Sequence, residues 1–524
     1  MSTLEELIWL VPLLPLLSTL WIGAGFLAGW NRGEAGENES SKVAIITSLL
    51  SLLLIVAIDI KALIYGIDET IIVGNWFNSG MFSINLSFTL DTLGLLMTTL
   101  VATITLLTIR FSVNYLHREA GYQRFFMLLS MFSFAMLLIV SAGNIGILFV
   151  GWEVAGVSSY LLIAYNYNRN NATKNATQAI VTNRVGDASL LAAIFFSTLW
   201  LGTLEWSEMA ASELLVSESG GMQLGLISFT LILAAFVKSA QIPFSPWITR
   251  ALEGPTPSSS IFYGSLMIHA GVYLVLRLEP FIENSVTASW ALLTIGGITA
   301  IYGYLSALVQ TDIKSTLIFS TISQVGVMFV GCGLGWFEAV TIYLILHAIW
   351  RSWQFLNAPA HMHSMSQPTA PAPIWLQRMQ RLYAAAMQRF WLDQLTQWLL
   401  LRPTQRLSKD IHAFDSNVVR PIIGSSNEIN VVSSLAEWEE KSAICDLEST
   451  SNSVPLGSGM FGSILQQIAT LFKWIEEHLI LKGGGDGMVS AIKGMESFIN
   501  KVEQQLSMPR YLLLMIMATF VVIL

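Results

Sequence analysis

The stretch GLISFTLILAAFVKSAQIPFSPWITRALEGPTP, residues 225–257, decides the fold. A dozen nearly unbroken apolar residues lead to Lys238, and a proline-interrupted turn, Pro243 to Pro246, follows it. An ammonium at bilayer depth costs roughly 2.5–3.5 kcal/mol on insertion scales. Interrupted backbone at that depth survives only where protein or a water-filled cavity covers it. A lysine beside a broken helix therefore points to an ion or proton path inside a helix bundle. The alternative is a lysine whose stem reaches out to the interface. A second intramembrane charge, Glu153 in LFVGWEVAGVSSYLL, speaks against it.

Composition extends this reading to the whole chain. Of 524 residues, 53% are hydrophobic and 12% charged, with mean hydropathy +0.60. Soluble proteins carry about 25% charged residues, so this is a polytopic membrane protein. The net charge of −8 resides in loops and a tail and selects no partner. No basic stripe with interleaved aromatics suggests nucleic acid. Cys332 and Cys445 are far apart and read as free thiols, not as metal ligands or a disulfide. MSTLEELIWLVPLL is acidic ahead of its apolar run, unlike a cleaved signal peptide, so the first helix is expected to stay.

Runs able to span roughly 30 Å of hydrocarbon fall at 7–30, 43–66, 89–111, 125–142, 145–166, 176–202, 224–249, 257–279, 286–309, 313–333 and 337–358. A short twelfth runs from Tyr511 to Leu524. The fold class is therefore an all-α transmembrane bundle of about 12 spans with a broken seventh helix. Between the second and third spans, ETIIVGNWFNSGMFSINLSFTLD alternates like a hairpin capping the outer face. The positive-inside rule puts the N-terminus outside, with Arg32, Lys42, Arg118, Arg124, Arg169, Lys174 and Arg250 inside. The tail is then cytoplasmic, and the expected location is a bacterial inner membrane. After the linker SQPTAPAP, residues 374–403 read as an amphipathic helix along the interface. Residues 424–460 are Ser-rich, and 462–481 form a second amphipathic candidate.

The ionisable residues inside spans form one constellation: Glu153, Arg184, Asp187, Lys238, His269, Lys314, His347 and Arg351. His347 and Arg351, at i and i+4, share a helix face. A carboxylate beside an ammonium keeps both charged; withdraw it, and burial lets the lysine shed a proton. Arginine cannot do so. Glu153 with Lys238 is thus a plausible switchable pair, and histidine suits a relay. Plainer readings stand beside these. Arg184 and Asp187 could fix a helix end, and His269 could be a core histidine bonded to a carbonyl. Lys314 could be a topology charge, and Arg351 could reach the interface. His361 and His363 lack a third ligand for a metal.

GYQRFFMLLSMFSFAMLLIV, GWEVAGVSSYLLI, TNRVGDASLL, KSAQIPFSPWITRALEGPTPSSS, AGVYLVLR, QTDIKSTLIFSTISQVGVMF and LHAIWRS closely resemble the antiporter-like subunits of respiratory complex I, NADH-quinone oxidoreductase subunit L above all. They also resemble Mrp-type cation/proton antiporter subunits. The resemblance is dense from 85 to 355 and returns weakly in FWLDQLTQWLLLRP and FDSNVV. It implies two inverted five-helix repeats, each with a broken helix carrying a lysine. It makes Glu153 the carboxylate partner, Lys238 the first-repeat lysine and Lys314 the central-axis lysine, with Arg184 and Asp187 beside the glutamate.

Three departures matter. The family's early eighth-helix histidine is Tyr263 here, with His269 further along. Arg351 stands where the family has lysine. The second broken helix is missing, because NAPAHMHSM leads straight into the tail. The expected domains are two helices and a hairpin (1–84), the antiporter-like core (85–362), the amphipathic tail (363–509) and a last helix (510–524).

The first functional expectation is a proton-translocating membrane subunit of a complex I-related assembly. It would have other membrane or peripheral subunits and the lipid bilayer as partners. No nucleotide motif, cluster-binding cysteines or cofactor is expected, so catalytic chemistry would belong to a partner. The alternatives are a DabB-like membrane subunit of a two-component inorganic-carbon uptake system, an autonomous Na+/H+ antiporter, and a non-conducting scaffold.

Overall fold

The computed structural model describes residues 4–31, 33–66, 70–79, 82–212, 221–358 and 372–415, with Leu215 and Val419. They fall into two compact units divided after Arg402. The expectations for the Ser-rich stretch, the second amphipathic candidate, the His361/His363 pair, Cys445 and the twelfth span lie outside the described residues.

In hydrocarbon every backbone polar group must be paired within its own segment, so long apolar runs become helices. The runs yield α1 (Leu10–Ala28), α2 (Gly33–Tyr65), α3 (Thr92–Tyr115), α4 (Tyr122–Ser141), α5 (Ile145–Ile163) and α6 (Asn170–Trp200). After them come α7 (Gly221–Lys238), α8 (Thr256–Arg277), α9 (Val286–Ala307), α10 (Ile313–Gly333) and α11 (Phe337–Asn357). The first ten are long and apolar enough to cross a membrane. The eleventh is as long but carries Glu338, His347 and Arg351. Side-chain caps set several starts: Asp91 accepts from Gly94 N at 3.0 Å, Asn144 from Ile147 N at 2.8 Å and Asp312 from Ser315 N at 2.9 Å.

The alternating stretch is a hairpin of antiparallel β1 (Thr70–Ser79) and β2 (Phe82–Thr89). It closes one end of the bundle. Phe88 bridges to Ala142, and Ser87 donates to Glu205 at 2.6 Å. Asn144 donates to the same carboxylate at 3.1 Å. Burial pushes the Glu205 carboxyl up despite these donors. Beside it, the Arg277 guanidinium grips Asp91, with Nη2 at 2.7 Å from Oδ1. Burial pushes the Asp91 carboxyl up, but Arg277 outweighs it and holds the group below its ordinary value.

As expected, the seventh helix breaks. It ends at Lys238, Ala240 takes a left-handed φ of 53°, and the chain resumes as a short helix, Pro246–Arg250. The eighth helix breaks too, which nothing in its sequence announces. Thr256–Ser259 is α, Ser260–Ser265 is π, Met267–His269 is 3-10, and α geometry returns at Ala270. The two interruptions touch where Ser239 Oγ donates to Ile268 O at 2.6 Å. Gly271 permits this approach, since a Cβ there would lie 2.3 Å from Ala235 O and from Ser239 Oγ.

The tail departs from expectation. Instead of one amphipathic helix it forms separate pieces, Ile374–Arg378, Gln380–Met387 and a third that starts at Leu392 and passes into π geometry over Gln397–Leu401. Arg389, Phe390 and Trp391 all have φ near +50° (51°, 53° and 55°), which a right-handed helix cannot accommodate. These pieces dock on the bundle end opposite the hairpin. Leu376 and Ala386 pack with Leu305, Phe390 meets Tyr302, and Asp393 pairs with Arg250 at 3.0 Å. The helix Arg402–Phe414 follows directly and carries the chain into the second unit.

Candidate functional site

Two polar clusters lie within the bundle, one on each side of the Ser239–Ile268 contact. The first gathers α5, α6 and α7. Lys238 is the last residue of its helix, where the helix dipole favours a cation, and it is 1% exposed. Its ammonium donates to Trp152 O at 3.0 Å and lies 4.9 Å from the Trp152 ring centre. Glu153 is not its direct partner. Glu153 pairs with Arg184 at 2.7 Å, and Arg184 Nε also lies 3.0 Å from Asp187 Oδ2. Both carboxylates remain within electrostatic reach of Lys238.

Asp187 is buried, and neither carboxylate oxygen has a hydrogen bond of good geometry. Arg184, by contrast, has 46% of its side chain exposed on the bundle flank. The sequence reading placed this group inside. The structure leaves Arg184 half exposed at the edge of the cluster, its guanidinium still on both carboxylates, while Asp187 is buried. Gln178 and Asn183, on the same helix as Asp187, are also buried with unpartnered polar atoms. Sequence reasoning passed over both. Their signal was amide side chains in a predicted span, with Asn183 at i, i+4 from Asp187 on one helix face.

The second cluster joins α8, α10 and α11. His269 Nε2 lies 3.0 Å from His347 Nδ1. Arg351 Nε donates to His347 Nε2 at 3.2 Å. Arg351 also donates to Gln354 Oε1 at 2.9 Å and, through Nη2, to Ser320 Oγ. Proton positions follow from this network. A guanidinium only donates, so His347 Nε2 must accept. With a neutral ring, His347 then carries its proton on Nδ1 and donates it to His269 Nε2. The proton of neutral His269 therefore sits on Nδ1, a buried atom that faces the Ser265 backbone without a hydrogen bond of good geometry. Tyr263, where the family has histidine, is fully buried against Phe262 and Phe355, and its hydroxyl has no partner.

Lys314 joins neither cluster. It donates to Thr256 Oγ1 at 2.7 Å at the start of α8, where Tyr115 also meets Thr256 at 2.8 Å. Pro243 and Pro246 bracket the break, with Pro246 opening the short helix. Phe355 packs inward, whereas Trp350 and Trp353 of the same helix stay exposed and stack at 5.2 Å. The tail pieces do not cover that pair; they pack near Tyr302, Leu305 and Arg250 instead. Among the described residues no group of His, Cys, Asp and Glu could hold a metal ion.

Comparison with known proteins places this geometry. Residues 142–392 match the family described as NADH:quinone oxidoreductase/Mrp antiporter, transmembrane. Residues 76–126 match the complex I chain 5 N-terminus family. NADH-ubiquinone oxidoreductase chain 5 of Talaromyces marneffei is 35% identical over 355 residues, 67% of this chain and 52% of that one. NAD(P)H-quinone oxidoreductase subunit 5 of the Paulinella chromatophora chromatophore is 33% identical over 387 residues, 71% of this chain and 56% of its own. A structure of the Mrp complex from Dietzia sp. DQ12-45-1b aligns with TM-score 0.58 and 25% identity over 68% of this chain and 37% of that chain. The chain thus spans about half the length of the curated relatives it matches. Across residues 76–126 and 142–392 it belongs to the antiporter-like family of membrane subunits shared by NADH:quinone oxidoreductases and Mrp antiporters.

Proposed function

We propose that this chain is a proton-translocating membrane subunit of a complex I-related assembly. The observation that carries the reading is Lys238, fully buried at the end of an interrupted helix and flanked by Asp187 and the Glu153–Arg184 pair. Asp187, with Asn183 one turn before it on the same face, offers buried polar atoms without partners beside the lysine, which suit hydrogen-bonded water. Beyond the lysine, Gln241, Ser245, Tyr263 and His269 carry further unpartnered buried atoms. The route then runs Lys238, His269, His347, with Arg351 at its edge and Lys314 serving the end near Thr256.

Partner subunits fit the flank. A half-exposed Arg184 within a membrane-spanning helix calls for protein cover. The relatives named for NADH-ubiquinone and NAD(P)H-quinone oxidoreductases and for the Mrp complex favour this reading over inorganic-carbon uptake or autonomous Na+/H+ exchange. The hairpin end faces outward and the Arg250 end inward, towards the cytoplasm of a bacterial cell or its organellar equivalent. The test is proton flux in proteoliposomes with and without a Na+ gradient. Lys238→Ala should abolish flux while inserting normally, since its loss removes a burial cost. Undiminished flux in that variant would falsify the assignment.

A further inference from the structure

One carboxylate lies within a membrane-spanning helix yet outside both polar clusters. Asp59 of α2 borders a groove of about 610 Å³ between α2, α3 and α11. The rest of that groove is largely apolar, with Leu63, Leu95, Leu96, Leu100, Ile345 and Ile349; a second carboxylate at its edge, Asp91, is already paired with Arg277. Asp59 Oδ2 accepts from Thr99 Oγ1 at 2.5 Å, while Oδ1 is buried and unpartnered. No cation of this chain pairs with Asp59 among the described residues. Next to the groove, α11 presents Ile342, Leu346, Ile349, Trp350 and Trp353 without cover.

An apolar face alone would be satisfied by lipid. Acyl chains, however, supply neither charge nor a hydrogen-bond donor, and intramembrane carboxylates are normally paired or turned inward. Asp59 is several residues from the end of α2 and too short to reach far along the helix axis. The groove therefore matches an apolar transmembrane helix that brings a cationic side chain to the depth of Asp59. We propose that a transmembrane helix of a partner subunit docks in the α2–α3–α11 groove and places a lysine or arginine against Asp59. This rests on the reading that the chain works within a larger assembly.

The test uses the full chain in its native assembly, with Ile349→benzoylphenylalanine as a photocrosslinker. The expected adduct is with a membrane-spanning helix of another subunit that contains a lysine or arginine. Asp59→Asn should lower its yield about tenfold, the scale of one charge-assisted hydrogen bond, while Asp59→Glu retains most of it. Replacing the partner's cation by glutamine should have the same effect as Asp59→Asn, and the two changes together should add little. Leu96→Trp, which fills the groove and leaves Asp59 intact, should also suppress the adduct, and decides the matter if Asp59→Asn fails to insert. Adducts with lipid only, with residues of this chain, or with a second copy would overturn the proposal, as would a yield unaffected by Asp59→Asn. Flux through Lys238 is measured separately on the isolated chain, so failure of the groove leaves the translocation reading standing.

Discussion

Arg184 and Glu153 form a 2.7 Å ion pair that keeps the glutamate from bonding Lys238 directly. The same guanidinium reaches Asp187, so one arginine restrains both carboxylates near the lysine. Lys238 then feels their charge at a distance, and freeing either carboxylate changes what it feels. A charge switch needs such restraint, because a carboxylate locked onto the ammonium would never release it.

This arrangement predicts non-additivity. Glu153→Gln and Arg184→Gln should each lower proton flux about tenfold, or about 1.4 kcal/mol in the barrier. The double variant should lose little more than either single one. Strict additivity in the cycle would mean that the pair does not act as a unit.

The histidine pair makes a different prediction. His269→Phe and His347→Phe should each lower flux tenfold or more, since either breaks the 3.0 Å contact. Arg351→Lys should retain flux and add a pH dependence at alkaline pH, because an ammonium can release a proton there and a guanidinium cannot. If Arg351→Lys reproduces the native pH profile, Arg351 contributes charge alone.

Gly271→Ala should destabilise the protein by about 1–3 kcal/mol, the usual cost of overpacking, and depress flux by parting the two interruptions. The added methyl would meet Ala235 O and Ser239 Oγ at 2.3 Å. Gly297→Ala is the control, since its methyl meets only Val330 at 4.0 Å. Equal thermal stability of the two variants would refute this account of the α7–α8 contact.

Glu205 predicts a pH trend in the hairpin cap. Burial raises its carboxyl in the folded protein above the ordinary 4.5. A group whose folded value is raised binds its proton more tightly when folded. Its stabilising contribution is therefore full below 4.5 and is lost as pH rises through the folded value. Thermal melting in detergent between about pH 4 and pH 7 should show that decline in the native protein. Glu205→Gln, which stays neutral, should flatten it; identical slopes would exclude Glu205 as the source.

What could be read from sequence follows from what each signal encodes. The spans were legible because hydrocarbon leaves a long apolar run little choice but helix. The hairpin showed in its alternation, and the α7 break in Pro243 and Pro246 beside Lys238. The α8 break was hidden, because SIFYGSLMIHAG contains no proline; its π turn lies against Phe355 and its 3-10 turn against Ser239. The charged residues of the two clusters were found, but not their pairing, and Asp59 inside the second span was passed over. Which carboxylate meets which cation depends on helix rotation, and spacing within one helix says nothing about that. Arg184 half exposed and Asp187 buried, three residues apart, show how much one turn decides.

The hydrogen bond from Arg351 to His347 also bears on turnover. In the resting arrangement each imidazole lone pair able to receive a proton is already engaged: His269 Nε2 by His347, and His347 Nε2 by Arg351. With both lone pairs engaged, the pair could give a proton from His269 on the proposed route but not take one up. Reloading requires the guanidinium to swing away, and it is held in place by Gln354 and Ser320 as well. On the proposed route, the slow event in each cycle would be a side chain leaving its pocket rather than a proton crossing 3.0 Å. Any force that displaces α10, which carries Ser320, against α11 would set the pace of transport without touching a titratable group.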